Sequence, residues 1–126
     1  MEIKTVEQAL EKLNLPSDTK PVITGVDAEF TNILEKVFQA LVISKAMREG
    51  WEPDYENLNE NKFESWFDLN TDEFNPSGFR FIVSVCTDAA TGSVIGPLLC
   101  QETREASDHF GELMVPIFRD VLKPQK

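Results

Sequence analysis

The spacing of apolar residues changes twice along this chain, and that change restricts the possible fold more than any single motif does. Helical spacing is found over residues 26–50 and again over residues 103–122, whereas residues 62–100 contain alternating patterns. Helices before and after a run of strands are typical of an α+β domain, with helices on one face of an antiparallel sheet. The chain of 126 residues has a usual size for one hydrophobic core, so we predict a single α+β domain over residues 1–126.

The start of the chain predicts a short helix. Thr5 and Gln8 have the spacing of a capping box, in which two side chains satisfy the first amides of a helix. Leu10 and Leu13 continue the helical spacing, and the segment after them has no sustained period. Residues 1–25 are therefore predicted to form an N-terminal helix and a connector.

The strongest helical pattern covers residues 26–50. Asp27 can cap the start of this helix, and Gly50 can end it in the left-handed conformation that glycine tolerates. Trp51 can then fold back on the last turn, and Pro53 prevents the helix from continuing. The apolar face that we expect to meet the core consists of Phe30, Ile33, Leu34, Val37, Leu41 and Val42.

Three antiparallel strands in a meander are the simplest interpretation of residues 62–100. In the first strand, alternation puts Trp66 on the face opposite to the core-facing residues, which are Phe63, Ser65, Phe67 and Leu69. In the second strand, one face is expected to carry Phe79, Phe81, Val83 and Val85. Pro97 lies in the third segment and cannot donate a ladder hydrogen bond, so this segment is expected at an edge or a bulge.

The last pattern predicts a helix over residues 103–122 with one face toward the core. Pro116 removes one amide from this helix, so we expect a kink or a break near that residue. The apolar positions of the helix are Ala106, Phe110, Leu113, Met114, Ile117, Phe118 and Val121.

Negative charge is concentrated in the middle of the chain. The formal net charge of −10 disfavours direct binding to nucleic acid, because phosphate contacts require clustered Lys and Arg. Nine acids and one base, Lys62, lie between Glu49 and Glu73, which gives a local balance of −8. An outward-facing Trp66 in this segment needs cover from its own chain or from a partner, since large aromatic side chains are seldom left bare. The candidate interaction residues are Trp51, Asp54, Tyr55, Glu56, Glu60, Glu64 and Trp66.

Signatures of metal binding are weak in this acidic segment. A calcium loop beginning at Asp54 would need an oxygen donor and a glycine where Leu58 and Asn59 stand, so we predict no metal and no other cofactor. The Asn and Asp residues are expected instead to form local hydrogen bonds from side chain to backbone.

Catalytic signatures are also weak. Cys86 and Cys100 are expected to be buried thiols rather than a disulfide. His109 is the only histidine, and a half-buried or exposed helical position is favoured over a general base. The sequence has no common hydrolase, nucleotide-binding or zinc motif, so an enzyme is not favoured. The enzymatic alternative is a small hydrolase or transferase that uses Cys100, His109 and a nearby carboxylate.

The cellular setting is indicated by the absence of a long apolar stretch. No run of apolar residues has membrane-spanning length, and an acid stands at position 2. We therefore expect a cytoplasmic protein without a membrane partner.

Five short motifs follow one another in a recognisable order: Gly50-Trp51-Glu52-Pro53-Asp54, Trp66-Phe67, Gly78-Phe79, Leu99-Cys100 and Thr103-Arg104-Glu105. Over roughly Ile43 to Leu122, this order resembles a family of small uncharacterised proteins encoded in bacterial, phage and prophage-like genomes. The resemblance implies a mobile-element accessory protein and no particular activity. The chain departs from the family where Phe63, Glu64 and Ser65 stand in place of frequent tyrosines, and at Pro116.

The leading hypothesis is a non-enzymatic protein–protein interaction module that binds an unidentified protein partner, or itself, through the acidic and aromatic segment. The second hypothesis is an inhibitor that mimics DNA by offering carboxylates in place of phosphates to a nucleic-acid enzyme. That second function requires the acids to form one continuous stripe.

Overall fold

The structure, a computed structural model, describes residues 2–57, 59–69, 71, 73, 78–87 and 96–122. Three α-helices and two antiparallel strands are present in this part of the chain, so the predicted α+β class is confirmed. None of the described helices combines the length and the apolar composition needed to cross a bilayer. In chain order the elements are α1 (Val6–Lys12), α2 (Ala28–Arg48), β1 (Lys62–Asp68), β2 (Arg80–Thr87), a 3₁₀ helix (Gly96–Leu99) and α3 (Arg104–Leu122).

The predicted capping residues are found at the start of α1. The Thr5 hydroxyl accepts a hydrogen bond from the amide of Gln8 at 3.1 Å. The Gln8 side chain reaches back and accepts one from the amide of Lys4 at 2.7 Å, one residue earlier than in a standard capping box. Two backbone amides at the helix start are thereby satisfied.

The ends of α2 differ in how they are capped. Asp27 occupies the N-cap position, but its side chain makes no capping hydrogen bond. The C-terminal end is left-handed at two residues, since φ is +51° at Glu49 and +92° at Gly50. Glu49 also binds the Lys12 ammonium of α1 at 2.6 Å, and this hydrogen bond and the positive charge lower the pKa of the Glu49 carboxyl.

The face of α2 that meets the core is only partly the predicted one, since Val42 is buried as expected but other residues of that face are not. Phe30 and Leu34, both expected in the core, are 53% and 46% exposed. The pattern is ambiguous because α2 carries apolar residues on all its sides, so side-chain size decides which side packs closely. The buried residues all lie in the second half of the helix: Ala40, Val42, Ile43, Ser44 and Ala46.

A bulge changes the side-chain pattern of the sheet. Trp66 pairs with Val83 and Phe67 pairs with Phe81, so Ile82 is an extra residue in β2. Because the side-chain period of a strand is two, one extra residue reverses the faces that the following side chains take. The prediction that the apolar residues of this strand share one face is therefore wrong: Phe81 lies on the side of α3, and Val83 is 43% exposed on the other side.

A third strand is not confirmed. Its predicted segment includes residues 93–95, which lie outside the described residues, and Gly96–Leu99, which form the 3₁₀ helix. Gln101 adds one antiparallel bridge to the edge of β1 that faces away from β2. The amide and the carbonyl of Gln101 each form a hydrogen bond with the backbone of Phe63 at 2.9 Å.

α3 packs on one face of the sheet through polar as well as apolar contacts. The Ser65 hydroxyl donates to the carbonyl oxygen of Ser107 at 2.7 Å, and the Ser84 hydroxyl donates to the Asp108 carboxylate at 2.6 Å. The helix continues as one element through Pro116, so this residue does not break it. The core among the three helices consists of Ile3, Ala9, Leu10, Ala40, Val42, Ile43, Ala46, Phe110 and Met114.

Gly111→Ala should destabilise the protein, although alanine is intrinsically the better helix former. A Cβ at Gly111 would overlap the ring of Phe81 and lie 3.0 Å from the Ser65 hydroxyl oxygen. We expect the overlap to lower the free energy of unfolding by about 1–3 kcal/mol. Urea denaturation measures the change, with Glu112→Ala on the exposed side of the same helix as the control. An unchanged or higher midpoint would show that α3 and β2 are not in such close contact.

Candidate interaction surface

Trp66 lies on the face of the sheet opposite to α3 and is 55% exposed. Val83, its partner across the ladder, is 43% exposed, and Ile82 at the bulge is 51% exposed. We call these three residues the hairpin outer face. Among the described elements, the strands contact α3 on the other face and the 3₁₀ helix beside β1. The outward position of Trp66 is thus confirmed, whereas Leu69, predicted to face inward, is 46% exposed just beyond the end of β1.

The acidic loop before β1 is held by local hydrogen bonds, as the sequence predicted. The Asp54 carboxylate accepts from the amide of Glu56 at 3.0 Å, and the Asn57 side chain accepts from the amide of Asn59 at 3.0 Å. The Glu60 carboxylate accepts from the amide of Asp54 at 2.8 Å and so closes the loop. These contacts are the turn-forming geometry that short polar side chains favour.

Lys62 is the charge around which this loop is organised. Its side chain is only 7% exposed, and its ammonium lies 3.3 Å from the Glu60 carboxylate. The same group donates to the carbonyl oxygens of Asn57 (3.3 Å) and Glu60 (3.4 Å). Oxygens that could have ligated a cation are therefore directed at an internal ammonium. No group of three His, Cys, Asp or Glu side chains that could hold a metal ion was found in the described part of the chain.

The candidate residues identified from the sequence fall in two neighbourhoods. Glu64 is half-buried on β1, two residues before Trp66 and on the same face of the strand. Trp51 and Tyr55 instead lie beside Arg48 at the end of α2. The Arg48 guanidinium is 5.7 Å from the centre of the Trp51 ring, in a cation–π contact, and Trp51 is half-buried.

Tyr55 is 53% exposed, and partial burial near Cys100 raises the pKa of its hydroxyl. Asp54 and Glu56 are exposed on the loop, whereas Glu60 is partly covered and paired with Lys62. A further acid, Asp68, is paired with Arg80 at 3.3 Å. The acidic segment therefore combines exposed carboxylates with carboxylates that are already neutralised.

Arg48 also ties α2 to the segment that leads into α3, a role that sequence reasoning did not identify. Its guanidinium donates to the carbonyl oxygens of Cys100 and Leu98, both at 2.9 Å. The only signal in the sequence was its place in the last turn of a helix, where a basic residue is common for other reasons. The planar fork of arginine suits two acceptors on one segment.

The two cysteines have different environments, and neither is in a disulfide. Cys100 is 1% exposed, and burial raises the pKa of its thiol. Cys86 is exposed, so the prediction that both thiols are buried is wrong for this residue, because it lies one residue before the end of β2, at the rim of the sheet. A buried thiol with a raised pKa is a poor nucleophile.

His109 contacts the start of the chain rather than either cysteine. Its Nε2 lies at hydrogen-bond distance from the carbonyl oxygen of Ile3, and its Nδ1 is 3.6 Å from the Glu2 carboxylate. The half-buried helical position agrees with the structural interpretation of this residue. No hydrogen bond joins His109 to Cys100 in the described part of the chain, so the two do not form a nucleophile and base pair in this geometry.

Comparison of the chain with family models, with curated proteins and with solved structures found no match in any of the three. The resemblance to small phage and prophage-like proteins stays a prediction from the motif order.

Lys62→Met should destabilise the protein because it removes the ammonium that the loop carbonyls and Glu60 surround. We expect a loss of about 1.5–3 kcal/mol in the free energy of unfolding, the range for hydrogen bonds to charged groups. Chemical denaturation measures it, with Lys20→Met at an exposed position of the connector as the matched control. Equal stability of the two variants would contradict the central role of Lys62.

Arg48→Ala should expose the Cys100 thiol. In the wild type we expect a thiol reagent such as DTNB to modify Cys86 rapidly and Cys100 slowly, since the latter is buried and keeps its proton. Loss of the two guanidinium hydrogen bonds should cost about 1.5–3 kcal/mol and speed the slow reaction. Arg119→Ala, at an exposed position of α3, is the control. An unchanged slow phase in Arg48→Ala would show that other contacts hold the segment.

Proposed function

We propose that this protein is a non-enzymatic protein–protein interaction module whose contact surface is the hairpin outer face, centred on Trp66. The observation that carries the proposal is the 55% exposure of this indole beside the exposed Val83 and Ile82, on the face of the sheet opposite to α3. Trp is a frequent interface anchor because it combines a large rigid apolar area with a hydrogen-bond donor. A cytoplasmic setting and a mobile-element origin, both predicted from the sequence, belong to the same proposal.

The exposed area of Trp66 is large enough to matter for binding. An exposure of 55% corresponds to about 140 Å² of side-chain surface. Covering that area contributes about 3.5 kcal/mol at about 25 cal/mol per Å², before the entropic costs of association. This magnitude is typical of an interface hot spot, and the neighbouring Val83 and Ile82 supply the apolar surroundings that exclude water from one.

Charge indicates the chemistry of the partner. The chain carries a net charge of −10, and Asp54 and Glu56 are exposed on the loop that leads into β1. A partner with an apolar pocket and a rim of Lys and Arg would match both features, and the opposite charges would speed association. The DNA-mimic hypothesis has less support, because Glu60 and Asp68 are neutralised by Lys62 and Arg80.

Trp66→Ala should abolish partner binding while leaving stability nearly unchanged, since the side chain is mostly exposed. The measurement is quantitative capture of proteins from an extract of the native host by immobilised wild type and variant. Val22→Ala removes part of another exposed apolar side chain, 93% exposed in the connector between α1 and α2, and is the control. We expect a protein that is retained by the wild type and by Val22→Ala and lost with Trp66→Ala.

Asp54→Lys combined with Glu56→Lys should weaken the same capture and reduce its dependence on salt, because the exposed acids contribute long-range attraction to the partner.

Recovery of identical proteins by the wild type and by Trp66→Ala would contradict the proposal that Trp66 is the centre of the contact surface. Thermal melts of each variant show whether a loss of capture reflects a loss of folding.

A further inference from the structure

The first half of α2 carries an apolar face that the core does not use. No residue from position 28 to position 39 is buried, and the first buried residue of the helix is Ala40. Phe30 and Leu34 are 53% and 46% exposed, and Val37 and Leu41 are half-buried. We call these last four residues, Phe30, Leu34, Val37 and Leu41, the α2 seam.

The spacing of the α2 seam matches what a second helix requires. Its residues follow one another at intervals of four, three and four, which keeps them on one side of the helix. The same intervals form the apolar stripe of a two-helix coiled coil. From Phe30 to Leu41 the stripe is about 16 Å long at 1.5 Å per residue.

Charge indicates that the second helix belongs to another copy of this chain. α2 contains two acids and three bases, a net charge of +1, in a chain whose net charge is −10. Two copies can therefore bring their α2 helices together without the repulsion that would oppose contact between their acidic loops. A strongly basic partner suits the hairpin outer face. On α2, whose net charge is +1, such a partner would not meet an excess of negative charge.

Two exposed charges flank the α2 seam and select the direction of pairing. Asp27 and Lys45 are 18 residues apart, which is five helical turns, so they lie on the same side of the helix at opposite ends. Asp27 makes no capping hydrogen bond with its side chain. In an antiparallel pair, Asp27 of each copy lies opposite Lys45 of the other. The two helix dipoles also run in opposite directions, which is favourable for helices that lie side by side. A parallel pair would instead place like charges at the same end of the helix pair.

We propose that the protein forms a symmetric antiparallel homodimer through the α2 seam. The two-fold axis passes between Leu34 and Val37, so that Leu34 packs on Val37 of the other copy and Phe30 packs on Leu41. This proposal does not depend on the function assigned to the hairpin outer face. The exposed apolar surface amounts to a few hundred Å² per copy, below the roughly 800 Å² that each partner buries in a standard interface, so the dimer is reversible and dissociates on dilution.

Sedimentation velocity of the full chain from about 1 µM to 500 µM tests the proposal. We expect the wild type to shift from monomer to dimer over this range. Leu34→Lys places a charge in the centre of the α2 seam and should raise the dissociation constant by about 100-fold or more, leaving a monomer. Trp66→Ala, which removes a large exposed side chain elsewhere, should dimerise like the wild type.

Exchanging the charges of Asp27 and Lys45 tests whether the two α2 helices are antiparallel. These variants also test the homodimer if Leu34→Lys fails to fold. Asp27→Lys and Lys45→Asp each create like-charge contacts and should weaken dimerisation, whereas the double variant should restore it. A wild type that stays monomeric at the highest concentration would overturn the proposal. So would a dimer that is lost with Trp66→Ala, or a double variant that dimerises no better than the single ones.

Discussion

The buried amide of Gln101 joins the parts of the structure that carry both exposed surfaces. Its backbone pairs with Phe63 of β1, and its side chain, 1% exposed, donates to the hydroxyl of Ser44 on α2 at 3.1 Å. Arg48 adds a second link from α2 to two carbonyls of the same segment. An unpaired buried N–H group is costly, so the hydrogen bonds donated by the Gln101 side-chain nitrogen and by Arg48 favour one relative position of α2 and β1. The hydrogen bonds of Gln101 and Arg48 therefore position the hairpin relative to the exposed half of α2.

The sequence predicted helix existence and helix ends well, because capping and left-handed turns are local. Thr5 and Gly50 act as expected. By contrast, the shape of the neighbouring elements determines which side of α2 packs against the core. That side cannot be predicted from the apolar pattern of a helix that is apolar all round. The bulge at Ile82 is equally invisible in an alternating pattern, yet it moves Val83 from the expected core face to the exposed one. Both errors concern the pairing of distant segments.

The candidate surface was predictable to a similar extent. The outward position of Trp66 and the local hydrogen bonds of the acidic loop follow from period and side-chain chemistry. The central place of Lys62 was missed, although a signal existed, since a single base among nine acids is the natural counter-charge for a folded loop. Trp51 does fold back on the last turn of α2 as predicted, but its contact with Arg48 could not be inferred from spacing, because the left-handed residue Glu49 sets the direction of the chain after the helix.

The two exposed apolar surfaces differ in charge, and that difference separates their roles. The acidic loop beside the hairpin repels a second copy, so the hairpin outer face suits a foreign partner with basic residues. α2 is nearly neutral and can meet its own copy. Two copies joined through α2 carry two hairpin outer faces on one particle, and a partner with two matching sites then binds the second at an effective concentration set by their spacing. Self-association would therefore strengthen partner binding without adding any contact to the hairpin itself.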